Sequence, residues 1–308
     1  NEEMRLTRLA LENEDVDMLF SYFSTTDGIQ HDFWRHCDPN HPEYPGPNEF
    51  EDRIRDMYIV MDNFIGEVTE KYPNVKLLVM SDHGHGARPV YTARINELLK
   101  RGGYLTPKTT TEKNTSKPGF KKKIKKTIRN FCVGFVKKIG LPKWAMKLLK
   151  KFPVWKSLFA SSSDFDWANT KAYLSDLSAL KNYSYGGIRF NDNVEDKDAL
   201  ADEIVEYLKN VKIEGEDKPL FEWIVRTNTH YHGEYLSRYP EIIYQMDERY
   251  GGEWELGKNV FEKSGFMYML SPGGHRWRTA VIAAKGINLD KKNYEMTDIY
   301  NIIMNEMK

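Results

Sequence analysis

The spacing of apolar side chains divides the chain into segments of two kinds. Met4, Leu6, Leu9 and Leu11 fall at helical spacing over Met4 to Glu14, and Val16 to Phe23 follows as a short apolar, partly aromatic run, so the pattern predicts a helix and then a strand. The small polar residues Ser24-Thr25-Thr26-Asp27-Gly28 suit a strand end passing into a helix N-terminus. Four prolines and a glycine between Asp38 and Asn48 require a loop. Phe50, Ile54, Met57, Tyr58, Met61, Phe64, Ile65 and Val68 then recur every three or four residues, which predicts an amphipathic helix with its charged face outward. Val75 to Met80 reads as a second buried strand ending at Ser81-Asp82-His83-Gly84-His85-Gly86. Strand, long helix and strand make the βαβ unit of a parallel sheet.

A short helix over Ala93 to Arg101 is expected to end at Gly102-Gly103, and beyond it the composition changes. Thr106 to Gly119 is rich in Thr, Lys, Pro and Gly, and Lys121 to Lys151 alternates lysine clusters with apolar and aromatic residues, a pattern of one or two basic amphipathic helices inserted in the main fold. From Asp164 the α/β pattern returns. Strands are predicted at Thr170–Leu174, Gly187–Phe190, Trp223–Thr227, Glu241–Gln245 and Thr279–Ala284, with helices at Asp196–Asn210 and Thr297–Met307.

Charge alters this picture more than composition does. The formal net charge is zero, with 45 basic and 45 acidic residues, yet Lys117 to Lys156 holds 14 of the basic residues and no acidic one. A segment this one-sided can attract a phosphate-rich surface or the acidic remainder of the chain. At 308 residues the chain can bury a sizeable core, and apolar runs such as Leu77 to Met80 fall far short of the ~18 residues that span a bilayer. Cys37 and Cys132 stand alone, so neither a disulfide framework nor a cysteine–zinc site is indicated. The chain opens at Asn1 without an initiator methionine, and a preceding N-terminal portion is expected.

Candidate chemistry gathers where the predicted strands end, which is where open α/β sheets bind ligands. Asp27 precedes His31 by four residues, so a helix starting there turns carboxylate and imidazole to one side. Asp82 and His83 are adjacent at the end of the second strand, and a charged pair there needs partners. Ser271-Pro272-Gly273-Gly274-His275-Arg276 offers a third histidine on a glycine-rich loop. Two aspartates and three histidines on three loops make most of a two-metal site. His230 and His232 imitate a zinc pair, but Thr229-His230-Tyr231-His232-Gly233 reads as a turn.

Asp27-Gly28-Ile29-Gln30-His31-Asp32-Phe33-Trp34, Met80-Ser81-Asp82-His83-Gly84-His85-Gly86 and Gly274-His275-Arg276 resemble the metal-binding motifs of the alkaline phosphatase superfamily, in its type I phosphodiesterase/nucleotide pyrophosphatase branch. Ile95-Asn96-Glu97-Leu98-Leu99 before Gly103-Tyr104-Leu105, Asp166-Trp167 with Thr170-Lys171-Ala172-Tyr173, Pro240-Glu241-Ile242 and Thr297-Asp298-Ile299-Tyr300 extend the resemblance over nearly the whole chain outside the basic insertion. It implies a three-layer α/β/α sandwich with a mainly parallel sheet, formed by residues 1–105 and 164–308, and a basic helical cap at 106–163. It further implies that Asp27, His31 and His275 hold one divalent ion and that Asp82 and His83 hold a second. An Asp and a Thr or Ser nucleophile would complete the second site; in the family they lie well upstream of the position of Asp27, so they are expected before Asn1.

The implied reaction is in-line hydrolysis of a phosphodiester or pyrophosphate bond through a covalent phospho-enzyme. Zinc is the first choice of metal, with manganese or iron as alternatives. His85 departs from the apolar residue commoner at its position; it reads as a group that orients a ligand or meets substrate, or else as a solvent-facing loop histidine. Arg276 reads as a phosphate contact or a surface ion pair. The alternatives in activity are a phosphomonoesterase on the same centre, or a non-catalytic protein docking through its lysines to a membrane or nucleic acid. The expected partners are a phosphate ester or nucleotide substrate and, through residues 117–156, an anionic membrane surface, with nucleic acid disfavoured. A cytoplasmic location with membrane association is the expectation.

Overall fold

The computed structural model describes residues 2–108, 165–175, 183–264, 271–276 and 279–307. In chain order these form α1 (Glu2–Asn13), α2 (Thr25–Cys37), α3 (Arg53–Lys71), β1 (Leu77–Met80), β2 (Gly84–Ala87), β3 (Tyr91–Arg94) and α4 (Ile95–Arg101). There follow β4 (Ala172–Leu174), β5 (Tyr185–Phe190), α5 (Lys197–Lys209), β6 (Phe221–Arg226), the one-turn α6 (Thr227–His230), β7 (Ile242–Met246), β8 (Tyr250–Glu253), β9 (Phe261–Lys263), β10 (Gly273–Arg276), β11 (Ile282–Lys285) and α7 (Met296–Glu306). The expected basic helices of residues 117–156 lie outside the described residues. No described helix is long and apolar enough to cross a membrane.

The chain divides into two compact units, Asn1–Arg88 with Tyr268–Lys308, and Pro89–Met267. In the second, β4, β5, β7 and β6 form an antiparallel four-stranded sheet in that order, and β3 pairs in parallel with β8 and antiparallel with β9. α5, expected over Asp196–Asn210, buries Leu200, Ala201, Ile204, Val205 and Leu208 on one face, and Asp196 caps it by accepting from the Ala199 amide at 2.9 Å. They join Ile95, Leu99, Leu174, Ile188, Ile224 and Tyr244 in one continuous core. α4 stops at Gly102-Gly103 because Gly103 takes a left-handed conformation, φ +81°.

In the first unit β1 pairs antiparallel with β11, and β2 pairs antiparallel with β10. The fold is therefore mixed α/β, with small sheets that are mostly antiparallel. Among the described residues β3–β8 is the one parallel pair, where the sequence led us to expect a mainly parallel sheet. The difference begins at Val16–Phe23. A strand forms only against a neighbouring strand, and among the described residues nothing pairs with this run, which stays irregular with Phe20 72% exposed. The βαβ unit built on it is accordingly not formed, while its long helix is, as α3. That helix packs Met57 and Phe64 with Met4 of α1, a small second core.

Candidate metal centre

α1 sets the start of α2. Glu3 accepts hydrogen bonds from the Ser24 amide at 3.0 Å and from the Ser24 and Thr25 hydroxyls at 2.7 Å each. Burial pushes the Glu3 carboxyl up, but these bonds outweigh it and hold its pKa below the usual carboxylate value. With α2 begun at Thr25, Asp27 lies in its first turn and His31 one turn later on the same side, the Nε2–Oδ1 distance being 3.4 Å.

β2 and β10 bring the remaining imidazoles to this face of α2. Their register sets His275 directly opposite His85, so both side chains leave the same face of the pair. His83 precedes His85 by two residues, and its ring stacks on that of His275 at 3.7 Å between centroids. The close approach depends on glycine. A Cβ on Gly273 would lie 2.2 Å from the Gln30 carbonyl oxygen and 2.9 Å from the His31 Cα, and a Cβ on Gly86 would lie 2.9 Å from the Arg276 side chain.

The tautomers follow from the backbone. His31 Nδ1 lies 2.9 Å from the Gly273 carbonyl and His83 Nδ1 lies 3.0 Å from the Gly84 carbonyl. A carbonyl only accepts, so each Nδ1 carries the proton and each Nε2 presents a lone pair, the arrangement that suits a ligand imidazole. Ser271 supports it, its hydroxyl lying 3.2 Å from His31 Nδ1, and Arg88 donates to the Gly273 carbonyl at 3.4 Å. His31 Nε2 in turn faces His275 Nε2 at 3.0 Å.

At the centre stands Asp27 Oδ1. It is buried and has no hydrogen-bond partner, although His31 Nε2 and His275 Nε2 lie 3.4 Å away and His85 Nδ1 lies 3.6 Å away. Four ligands on a tetrahedral ion with bonds of ~2.05 Å sit ~3.3 Å from one another, so these spacings fit donors around a shared cation better than they fit hydrogen bonds. Two groups, Asp27 with His83 and His275, and Asp27 with His31 and His85, each bring their ligand atoms within 4.8 Å of one another. The donor set therefore fits a divalent metal.

Four of the five residues expected to bind metal thus converge: Asp27, His31, His83 and His275. Asp82 sits on the turn between β1 and β2, mostly exposed, with its Oδ1 3.5 Å from His83 Nε2. His85 is no solvent-facing loop residue. It lies on β2 with its side chain 3% exposed, stacked on Trp34, and burial followed by the neighbouring imidazoles and Arg276 draws its pKa down to about 3. Arg276 is not a surface residue either; it is buried and donates to the backbone carbonyls of Ala87 and His275, the latter at 3.3 Å. His230 ends α6 against Trp223, and both it and His232 are exposed. The signal for His85 was present in the sequence, because His-Gly-His places two imidazoles on one face of any strand.

A helix and a two-stranded antiparallel sheet that set a carboxylate among imidazoles define a protein with a candidate metal centre. The chain belongs to the type I phosphodiesterase/nucleotide pyrophosphatase family, whose model matches residues 2–252. His275 lies beyond the matched residues. The family comprises metal-dependent hydrolases acting on phosphate ester or nucleotide substrates. No curated protein and no solved structure matches the chain.

Proposed function

We propose that this protein hydrolyses phosphodiester or pyrophosphate bonds with the help of two divalent ions, zinc first among the candidates. The observation that carries the reading is the buried, unpartnered Oδ1 of Asp27 facing three imidazole nitrogens at 3.4–3.6 Å. Asp27, His31 and His275 would hold one ion, Asp82 and His83 the other. A pair of such ions supplies charge neutralisation for the attacking and leaving oxygens of an in-line displacement at phosphorus. Asp27 contributes the negative charge. The Gly273 carbonyl fixes the His31 tautomer, and the Gly84 carbonyl does the same for His83. A Thr or Ser nucleophile forming a phospho-enzyme would complete this reading.

The test compares bis-p-nitrophenyl phosphate with p-nitrophenyl phosphate as substrates of the full-length protein. We expect faster release from the diester, loss of activity with a chelator, recovery on adding zinc, and at least a ~100-fold loss in Asp27→Asn. Preference for the monoester would reassign the protein as a phosphomonoesterase. If neither ester turns over with any divalent ion, the hydrolase reading fails.

A further inference from the structure

We propose that His85 is itself a metal ligand, its Nδ1 joining Asp27 Oδ1 and the Nε2 atoms of His31 and His275 as the fourth donor to a single divalent ion. This rests on reading the cluster as a metal centre and goes beyond the Asp, His and His that the family resemblance supplies for that ion. Three observations carry it. His85 Nδ1 faces Asp27 Oδ1 at 3.6 Å, too far for a hydrogen bond and close to the ~3.3 Å edge of a ligand tetrahedron. Both ends of the contact are short of partners: Asp27 Oδ1 is buried without a hydrogen bond, and so is the other nitrogen of the ring, His85 Nε2. Whatever offsets the burial of this imidazole must therefore act at Nδ1.

The third observation is the backbone. The β2–β10 register holds His85 opposite His275, and the ring packs edge-on to His31 with centroids 4.5 Å apart. With its side chain 3% exposed and stacked on Trp34, His85 is positioned by the same two strands and the same helix that position the other donors. A histidine that only oriented Asp27 would lie within hydrogen-bond reach of it. A cation among the four donors satisfies Asp27 Oδ1 and His85 Nδ1 together. The site would then have four protein donors from this chain, against the two, Asp82 and His83, assigned to the other ion.

The test uses cobalt(II) as the probe on the full chain stripped of metal, read by affinity and by visible absorption. Wild type should bind one ion tightly with the intense absorption of a four-donor tetrahedral site. His85→Asn should lose ~100-fold or more in affinity, beyond the ~10–100-fold typical of a residue that only orients a ligand, and its absorption should weaken. His31→Ala should lose binding as well. If His85→Asn keeps the wild-type affinity and spectrum while His31→Ala loses them, His85 is no ligand and the metal centre stands. If His31→Ala and Asp27→Asn both bind as wild type does, the metal-centre reading itself fails. Should His85→Asn not fold by circular dichroism, diffraction at the zinc edge from zinc-loaded wild type decides. His85 Nδ1 within ~2.0–2.1 Å of the ion supports the assignment, and a separation above ~3 Å overturns it.

Discussion

Gly273→Ala tests whether the site depends on the contact between α2 and β10. The added Cβ would stand 2.2 Å from the Gln30 carbonyl oxygen, 2.8 Å from the Gln30 carbonyl carbon and 2.9 Å from the His31 Cα. These are backbone atoms, so no rotamer change relieves the clash; α2 and β10 must separate by about 1 Å to reach ordinary contact. The same movement would stretch the 2.9 Å bond from His31 Nδ1 to the Gly273 carbonyl beyond hydrogen-bond range. Overpacking costs ~1–3 kcal/mol and the lost bond ~1 kcal/mol, so the melting temperature should fall by roughly 5–12 °C. Gly28→Ala in α2 is the control. Nothing lies within 4 Å of its Cβ, and in a helix alanine is favoured over glycine by ~1 kcal/mol. Thermal unfolding followed by circular dichroism reads both. Gly273→Ala melting with wild type, or Gly28→Ala falling as far, would refute the argument from close approach.

In the second unit, Asp247 accepts from Lys218 at 2.5 Å and from Arg249 at 2.8 Å; its burial raises the carboxyl pKa, but these partners outweigh it and hold it well below the ordinary value. A depressed folded pKa contributes stability above the unfolded value of ~3.9 and loses it as pH falls further. Asp247→Asn should therefore cost ~1–3 kcal/mol at pH 7, with the gap to wild type closing below about pH 4 in a pH series of melts. Tyr244→Phe should leave stability unchanged or raise it by ~1 kcal/mol in urea unfolding, because the Tyr244 hydroxyl is buried without a hydrogen-bond partner; a clear loss would mean that the hydroxyl is satisfied. Glu3→Gln should weaken the tie between α1 and α2 by roughly 1 kcal/mol, seen as faster amide exchange at Ser24 and Thr25, and unaltered exchange there would contradict the capping role.

The parts of the fold that were legible in the sequence are those whose apolar residues recur at a helical period. α3 and α5 form where the apolar period predicted helices, α3 burying Met57 and Phe64 of its selected positions while Tyr58 stays exposed, because a helix satisfies its own backbone and needs only one apolar stripe. Strands need a partner, and pairing cannot be read from one segment. Val16–Phe23 has the composition of a strand and is not one, whereas Gly84–Ala87 and Gly273–Arg276 are strands with no apolar alternation to announce them. The same asymmetry governs the site. Spacing alone placed Asp27 and His31 together, being local to one helix turn. The inclusion of His85 depends on the β2–β10 register, a non-local fact for which the only trace in the sequence is the two-residue interval between His83 and His85.

That register also bears on why the cluster is better read as a site than as packing. Interiors rarely bury a carboxylate oxygen without a donor, because the lost hydration is not returned. Here His31 Nε2 lies 3.4 Å from Asp27 Oδ1, yet His31 turns its N–H to the Gly273 carbonyl and presents its lone pair instead. The two carboxylates meanwhile keep a path to water, with the side chains of Asp27 and Asp82 39% and 61% exposed. Lone pairs directed inward, a central oxygen short of a partner and an open carboxylate side are what a dication entering from solvent requires. Glycine at 273 is what lets α2 come close enough to complete the set.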